Sequence, residues 1–181
     1  MSLADDNALQ QRQRAIRLLI LDIDGVLTDG SLFLGDGGEQ YKAFHSRDGH
    51  GIRLWQQAGR TVAVITGRIS QVVEHRMRDL GVEHIIQGRR DKGQALAELL
   101  SRFPDLTPEQ AAFVGDDIVD WPAMRRVGLS IAVADAHPFV HSRADWCTEH
   151  PGGRGAVREV CDTLLQVQGR LDELYREYLD K

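Results

Sequence analysis

The sequence of 181 residues predicts an α/β fold, a parallel sheet with helices on both faces in a single domain. Two patterns predict it. Short apolar runs that read as buried strands alternate with segments of helical period, and such an alternation builds a parallel sheet through crossover connections. Several of these runs then stop in glycine, threonine or aspartate, and the carboxyl ends of strands are where sheets of this kind bind ligands. Composition agrees: 42% hydrophobic and 27% charged residues describe an ordinary globular chain, long enough for a substantial core.

Taken in order, residues 1–15 are polar and read as an N-terminal tail, frayed or loosely helical, ahead of a domain over 16–181. The first strand covers 17–22. Partly alternating runs at 31–34 and 40–44 flank Gly35-Asp36-Gly37-Gly38 and predict a protruding β-hairpin over 31–44, the one antiparallel excursion. A helix at 48–58 turns Ile52, Leu54 and Trp55 inward. The strand Thr61–Ile65 leads to a helix at 69–80 that Gly81 stops. Val82–Ile86 is strand-like, and 92–102 is helical with Leu96, Leu99 and Leu100 inward. Pro108 suits the first turn of a short helix at 108–111. The strand Ala112–Gly115, a helix at 118–126 and the strand candidates Leu129–Val133 and Trp146–Cys147 follow. One helix over 155–179 closes the chain, with Val157, Val160, Cys161, Leu164 and Leu165 as its apolar stripe.

The net charge of −5 argues against nucleic acid as a partner. No apolar run reaches the length of a membrane span, and the polar stretch Met1–Gln13 has no signal-peptide core. Cys147 and Cys161 are too few for a disulfide framework, so a cytoplasmic protein with reduced thiols is expected. A small anionic substrate remains compatible, because a metal and a few basic side chains dominate the field of one pocket.

The chemistry-bearing residues cluster at strand ends. Asp22 and Asp24 lie two apart at the end of an apolar strand, so both side chains can serve one pocket. Two anions that close need a cation or a proton between them; a divalent metal beside a nucleophilic carboxylate is the simplest arrangement, and an acidic turn after a strand is the other. Thr66-Gly67-Arg68 offers a hydroxyl and an accessible amide for phosphate oxygens, or a threonine cap for the next helix. Lys92 opens a helix, where a cation opposes the helix dipole; it either faces an anionic partner or is a solvated surface lysine. Gly115-Asp116-Asp117 follows a further strand with Asp120 a helical turn on, and Asp117 is also explained by helix-start electrostatics. His137 and His141 share helical spacing without the acidic or cysteine neighbours of a zinc site, which suits capping and packing.

Singly these signals are weak, but their order is specific. Asp22-x-Asp24-Gly25, Thr66-Gly67-Arg68, Lys92 and Gly115-Asp116-Asp117-x-x-Asp120 together resemble the haloacid dehalogenase superfamily of phosphohydrolases. Lys42–Gly49, Gly115–Pro122, Val133–Pro138 and Gly152–Glu159 further resemble its 3-deoxy-D-manno-octulosonate 8-phosphate phosphatase branch, over about residues 16–175. The resemblance implies a Rossmann-like core without a cap domain. It implies hydrolysis of that sugar-acid phosphate in lipopolysaccharide biosynthesis, with Mg²⁺ as cofactor. In the implied mechanism Asp22 attacks phosphorus and forms an aspartyl-phosphate, and Asp24 protonates the leaving sugar oxygen and then activates water. An acid at position 24, in place of a hydrophobic residue, suits a phosphoester with an alkoxide leaving group. Mg²⁺ is implied on the Asp22 and Asp116 carboxylates and the Asp24 backbone carbonyl, with Asp117 and Asp120 in support. Thr66, the Gly67 amide and Lys92 are implied to bind phosphoryl oxygens.

The intervals after the first motif and between Thr66 and Lys92 hold no separate cap, so the pocket should stand open. Leu32, Phe33 and Leu34 on the hairpin invite pairing, and the resembled family forms homotetramers in which a neighbouring subunit completes each site. Arg68, beside Thr66, is a candidate for the sugar acid's carboxylate, and Arg76, two helical turns beyond it, is expected to face the same rim; Phe44, His45, Ser46 and Arg47 follow the hairpin and are expected to reach a neighbouring site. The Gly152–Gly155 segment is either a gate contributing Arg154 or the turn that starts the last helix. Two other functions fit the sequence: a phosphatase for a nine-carbon sialic-type acid 9-phosphate, and a catalytically silent anion- or partner-binding module.

Overall fold

The structure is a computed structural model that describes residues 3–179. Helix α1 (Leu3–Ala15) leads into strand β1 (Leu18–Leu21). The hairpin strands β2 (Phe33–Leu34) and β3 (Gln40–Tyr41) follow, then α2 (Ser46–Gln57), β4 (Thr61–Ile65), α3 (Gln71–Asp79), β5 (His84–Ile86) and α4 (Lys92–Leu100). The second half adds β6 (Ala111–Gly115), α5 (Trp121–Met124), β7 (Leu129–Ala132), α6 (Pro138–His141), β8 (Trp146–Cys147), α7 (Ala156–Val167) and α8 (Leu171–Leu179).

Six strands form one parallel sheet in the order β5-β4-β1-β6-β7-β8. β1 is central: Leu18 to Leu21 pair with Thr61 to Val64 on one side and Ala111 to Val114 on the other. All four of its side chains are fully buried, as expected for a strand covered on both faces. Each such side chain contributes about 1.5–3 kcal/mol of transfer free energy. From β1 the chain builds the sheet outward through β4 and β5, then returns through α4 to build β6, β7 and β8 on the other side. That reversal puts α2 and α7 together on one face and α4 and α5 on the other. It also opens a crevice at the carboxyl ends of β1 and β6, where Asp22 and Asp116 follow their strands.

Several expected boundaries move for identifiable reasons. The helix expected over 155–179 is two helices: Gly169 sits at φ +68, and its amide and that of Arg170 close on the carbonyls of Gln166 and Leu165. The tail expected over 1–15 is a docked helix from Leu3. Its polar sequence hid the attachment, which uses an Arg12–Asp145 ion pair at 2.8 Å and Gln168 donating to the Gln13 and Ile16 carbonyls. The hairpin arms pair over only two residues each, all exposed. Val82 is spent on closing α3, donating to the Met77 carbonyl beyond Gly81 at φ +72, so β5 starts at His84. The helix expected over 118–126 shortens to α5 because a turn occupies residues 117–120 before Pro122, and the one expected at 108–111 is a 3-10 turn, Pro108–Gln110. The stripe on α7 is buried throughout. α7 has no cap of its own; buried Asp48 on α2 accepts from the Gly155 and Arg158 amides instead.

Gly169 has open space where a side chain would stand, so its conformation alone is at issue. Gly169→Ala should destabilise the protein by about 1 kcal/mol through the left-handed backbone. That lowers the melting temperature by roughly 2–4 °C, measured by calorimetry; an unchanged value would mean the α7–α8 break is not enforced there.

Candidate active site

Three carboxylates, Asp22, Asp116 and Asp120, bring ligand atoms within 4.8 Å of one another at the ends of β1 and β6. Lys92, at the first position of α4, stands among them. Its ammonium is 2.8 Å from Asp22 Oδ1 and pairs more closely with Asp120 Oδ1. Lys92 is 2% exposed, which removes the surface-lysine reading. Burial opposes its charge, but Asp22 and Asp120 outweigh it and hold the ammonium's pKa above the ordinary lysine value.

The carboxylates are not equivalent. Asp120 is fully buried and both oxygens are committed: Oδ1 to Lys92, and Oδ2 to the Asp116 and Asp117 amides at 3.0 and 3.3 Å. Gly115 makes room for it, since a Cβ there would come within 2.7 Å of Asp120 Cβ. Asp22 Oδ1 has the ion pair with Lys92 but no aligned hydrogen bond. Burial first, then the Asp120 charge, pushes the Asp22 carboxyl up to about 7 against the pull of Lys92. Asp116 is pushed up to about 8, by burial and then by Asp120 and Asp22. Its carboxylate rests on the backbone of Gly25, where a Cβ would lie 2.1 Å from Asp116 Oδ2, so only glycine fits at that position of the first motif.

Three carboxylates against one ammonium leave negative charge that the protein does not neutralise. With Asp120 fully engaged, Asp22 and Asp116 are the oxygen ligands available to a divalent cation, and the hard-oxygen set suits one. Asp24 is paired with Lys42 through Oδ1 and stands 3.7 Å from Arg68 Nε through Oδ2.

A groove of about 640 Å³ lies along the β5 edge at Glu74, Arg78 and Gln87, away from every carboxylate of the cluster. The cluster lies in a cavity of about 470 Å³. Asp22, Asp24, Thr66, Gly67, Arg68, Lys92, Asp116 and Asp117 all line it, joined by Arg89, Arg90 and Val119. Thr66 is buried and Ser70 precedes α3, so Thr66 is not that helix's cap.

The remaining sugar-contact candidates are elsewhere in this chain. Arg76 pairs with Asp79 at 2.6 Å, stacks over Phe44 with its guanidinium 6.0 Å from the ring centroid, and lines a separate groove with Ser46 and Arg53. Its two-turn separation from Arg68 had suggested a common rim, but α3 starts only at Gln71, after a bend. Arg47 is exposed on the first turn of α2. Arg154 binds Asp29 at 3.0 Å outside the cavity. The glycines around it are packed: the Gly153 amide donates to the Val26 carbonyl, and a Cβ on Gly152 would lie 1.7 Å from the Gly25 carbonyl oxygen. His137 caps α6, accepting from the Phe139 amide. Sequence reasoning missed Lys42, Arg89 and Arg90. Lys42, just past the short hairpin strand β3, carried no signal that pointed to Asp24, whereas Arg89 and Arg90 precede Asp91, the cap of Lys92's helix, and were legible as its approach.

If excess negative charge defines this site, Asp116→Asn should raise the melting temperature in chelator by roughly 2–4 °C, about 1 kcal/mol. The same substitution should abolish the stabilisation that a divalent cation gives the unsubstituted protein. Thermal scans with and without cation decide this; a destabilised variant that keeps its cation response would contradict the assignment.

A family model for haloacid dehalogenase-like hydrolases matches residues 81–159. The 3-deoxy-D-manno-octulosonate 8-phosphate phosphatase KdsC of Escherichia coli K12 is 55% identical over 158 residues, 87% of this chain and 84% of that one. The crystal structure of the Yersinia pestis 3-deoxy-D-manno-octulosonate 8-phosphate phosphatase superposes with a TM-score of 0.89 at 49% identity, covering 92% of this chain and 89% of that one. The enzyme of that name from Moraxella catarrhalis, crystallised with magnesium, phosphate and KDO, gives a TM-score of 0.92 at 37% identity over 95% of this chain and 98% of that one. By sequence and by fold, this chain belongs to the haloacid dehalogenase-like hydrolases, in the family of the 3-deoxy-D-manno-octulosonate 8-phosphate phosphatases.

Proposed function

We infer that the protein is a magnesium-dependent phosphatase that hydrolyses 3-deoxy-D-manno-octulosonate 8-phosphate to the free sugar acid and phosphate, a step of lipopolysaccharide biosynthesis. The observation that carries it is the pairing of an under-neutralised Asp22–Asp116 site with a second carboxylate, Asp24, in one open cavity of a chain 55% identical to such an enzyme.

Asp22 is the nucleophile. Lys92 holds its Oδ1 side, which orients the other oxygen, and the ammonium offers positive charge to an incoming phosphoryl group. Asp22, Asp116 and the Asp24 backbone carbonyl would hold a Mg²⁺ ion, which would supply charge neutralisation between the substrate phosphate and the carboxylate. Thr66 and the Gly67 amide, which line the same cavity, bind the phosphoryl oxygens. Asp24 gives a proton to the leaving sugar oxygen and later takes one from the water that cleaves the aspartyl-phosphate. Asp120 works through others, fixing Lys92 and the 116–117 backbone; Asp117 supports the metal side from the cavity rim. Arg68, which lines the cavity beside Asp24, binds the substrate's carboxylate in this reading.

The working assembly in this reading is a homotetramer. Support comes from Leu32, Phe33, Leu34 and Tyr41, which are 47–68% exposed on a hairpin that pairs with no other strand among the described residues. A neighbouring copy then covers the open cavity, and Phe44, Arg47, Arg76 or Arg154, which do not line their own chain's cavity, act across that boundary. A cytoplasmic location belongs to the same reading, supported by two free cysteines; no helix among the described residues is long and apolar enough to cross a membrane.

Phosphate release should be strongest on the eight-carbon sugar-acid phosphate and depend on Mg²⁺; Asp22→Asn should lower it at least 1,000-fold, of the order seen when a nucleophile is removed, with the fold intact. Higher efficiency on a nine-carbon acid 9-phosphate would reassign the substrate, and no metal-dependent release on any sugar phosphate would leave a silent binding module. Light scattering should give the mass of four chains, and an active monomer would refute the shared-site assembly.

A further inference from the structure

Lys42 is anomalous on its hairpin. Its neighbour Tyr41 is 64% exposed, yet the Lys42 side chain is 3% exposed and its ammonium pairs with Asp24 Oδ1. Lys42 does not line the cavity, whereas Asp24 and Arg68 do, and Arg68 stands at the other oxygen, Oδ2. The carboxylate is therefore gripped from behind by a buried cation and meets only a half-exposed guanidinium, 55% exposed, on the cavity side. A charge-assisted contact of this kind selects one rotamer of a side chain that would otherwise turn freely at the strand's end.

We propose, on the phosphatase reading above, that Lys42 is a positioning residue which fixes Asp24 through Oδ1 so that Oδ2 is the oxygen that exchanges the proton. As the bond from Asp22 to phosphorus forms and the phosphorus–sugar oxygen bond breaks, the proton on Oδ2 passes to the sugar oxygen. When water attacks phosphorus, the Asp22–phosphorus bond breaks and the water's proton returns to Oδ2. Lys42 gains and loses nothing in either step. Because Lys42 directly follows the hairpin strand β3, the placement of the hairpin sets the aim of the catalytic acid.

A leaving-group comparison on the full-length protein with Mg²⁺ tests this. An alkoxide leaving group needs the acid, whereas nitrophenolate leaves without a proton. Leaving-group release in a single turnover reads the first step apart from the water attack that both substrates share; Lys42→Met should lower that rate about 100-fold on the sugar-acid phosphate, within the range for loss of general-acid catalysis, and no more than about threefold on p-nitrophenyl phosphate. Lys42→Arg should recover most of the loss, and Lys42→Met should add nothing on the sugar-acid phosphate in an Asp24→Asn background, as two residues acting as one unit require. Equal losses on both substrates would make Lys42 a phosphate ligand or a hairpin anchor and overturn the proposal, as would no loss on either; Lys42→Gln provides the same reading should the methionine variant fail to fold. An Asp24→Asn variant that loses both substrates equally would instead remove the acid role from Asp24, while metal-dependent turnover by the unsubstituted protein keeps the phosphatase reading separate from this inference.

Discussion

The site depends on one buried cation. Lys92 holds Asp22 and Asp120 together, and through Asp120 it organises the backbone amides that present Asp116. A buried charge that loses its partner typically costs about 3–5 kcal/mol, so these three residues stand or fall as a unit. The group joins three separate parts of the chain: the end of β1, the start of α4 and the turn after β6. It is tolerable because the polar atoms of Asp120 are all answered. It stays incomplete at Asp22 and Asp116, whose carboxyls are pushed up to about 7 and about 8. Their surplus negative charge is what a divalent cation relieves.

Glycine supplies the tolerance that this crowding needs. Gly25 lets the Asp116 carboxylate lie on the turn after Asp24, Gly115 admits Asp120, and Gly152 presses on the Gly25 carbonyl from the far side. The first motif is thereby clamped between the β6 turn and the loop that starts α7. Asp48 adds to the clamp by capping α7 from α2, so the helix that leaves the hairpin secures the loop that backs the site. Substitutions at these glycines act on chemistry through backbone displacement, without any loss of a functional group.

What could be read in the sequence follows from how local each signal is. The central strands, the stripe on α7 and the ordered carboxylates were legible, because burial period and strand-end chemistry are properties of short segments. Asp22, Thr66, Lys92 and Asp116 come together because the sheet order places β1 between β4 and β6. The contact from Lys42 to Asp24 was hidden, since it joins residues 18 apart through a hairpin whose path no periodicity fixes. Arg76 illustrates the opposite failure: helical spacing from Arg68 suggested a shared rim, but the bend before α3 sends it to Asp79 and Phe44. α1 looked like a tail because its attachment is polar, and Gly169 stood unremarked inside a stretch of otherwise good helix formers.

The central claim is that an Asp22 carboxylate oxygen becomes transiently phosphorylated beside a bound cation. Crystallisation of the protein with Mg²⁺ and beryllium fluoride, which mimics an aspartyl-phosphate, tests it most directly. The account predicts the fluoride adduct on Asp22 with the cation between Asp22 and Asp116. An adduct on Asp24 or any other carboxylate, at full occupancy of the metal, would contradict it.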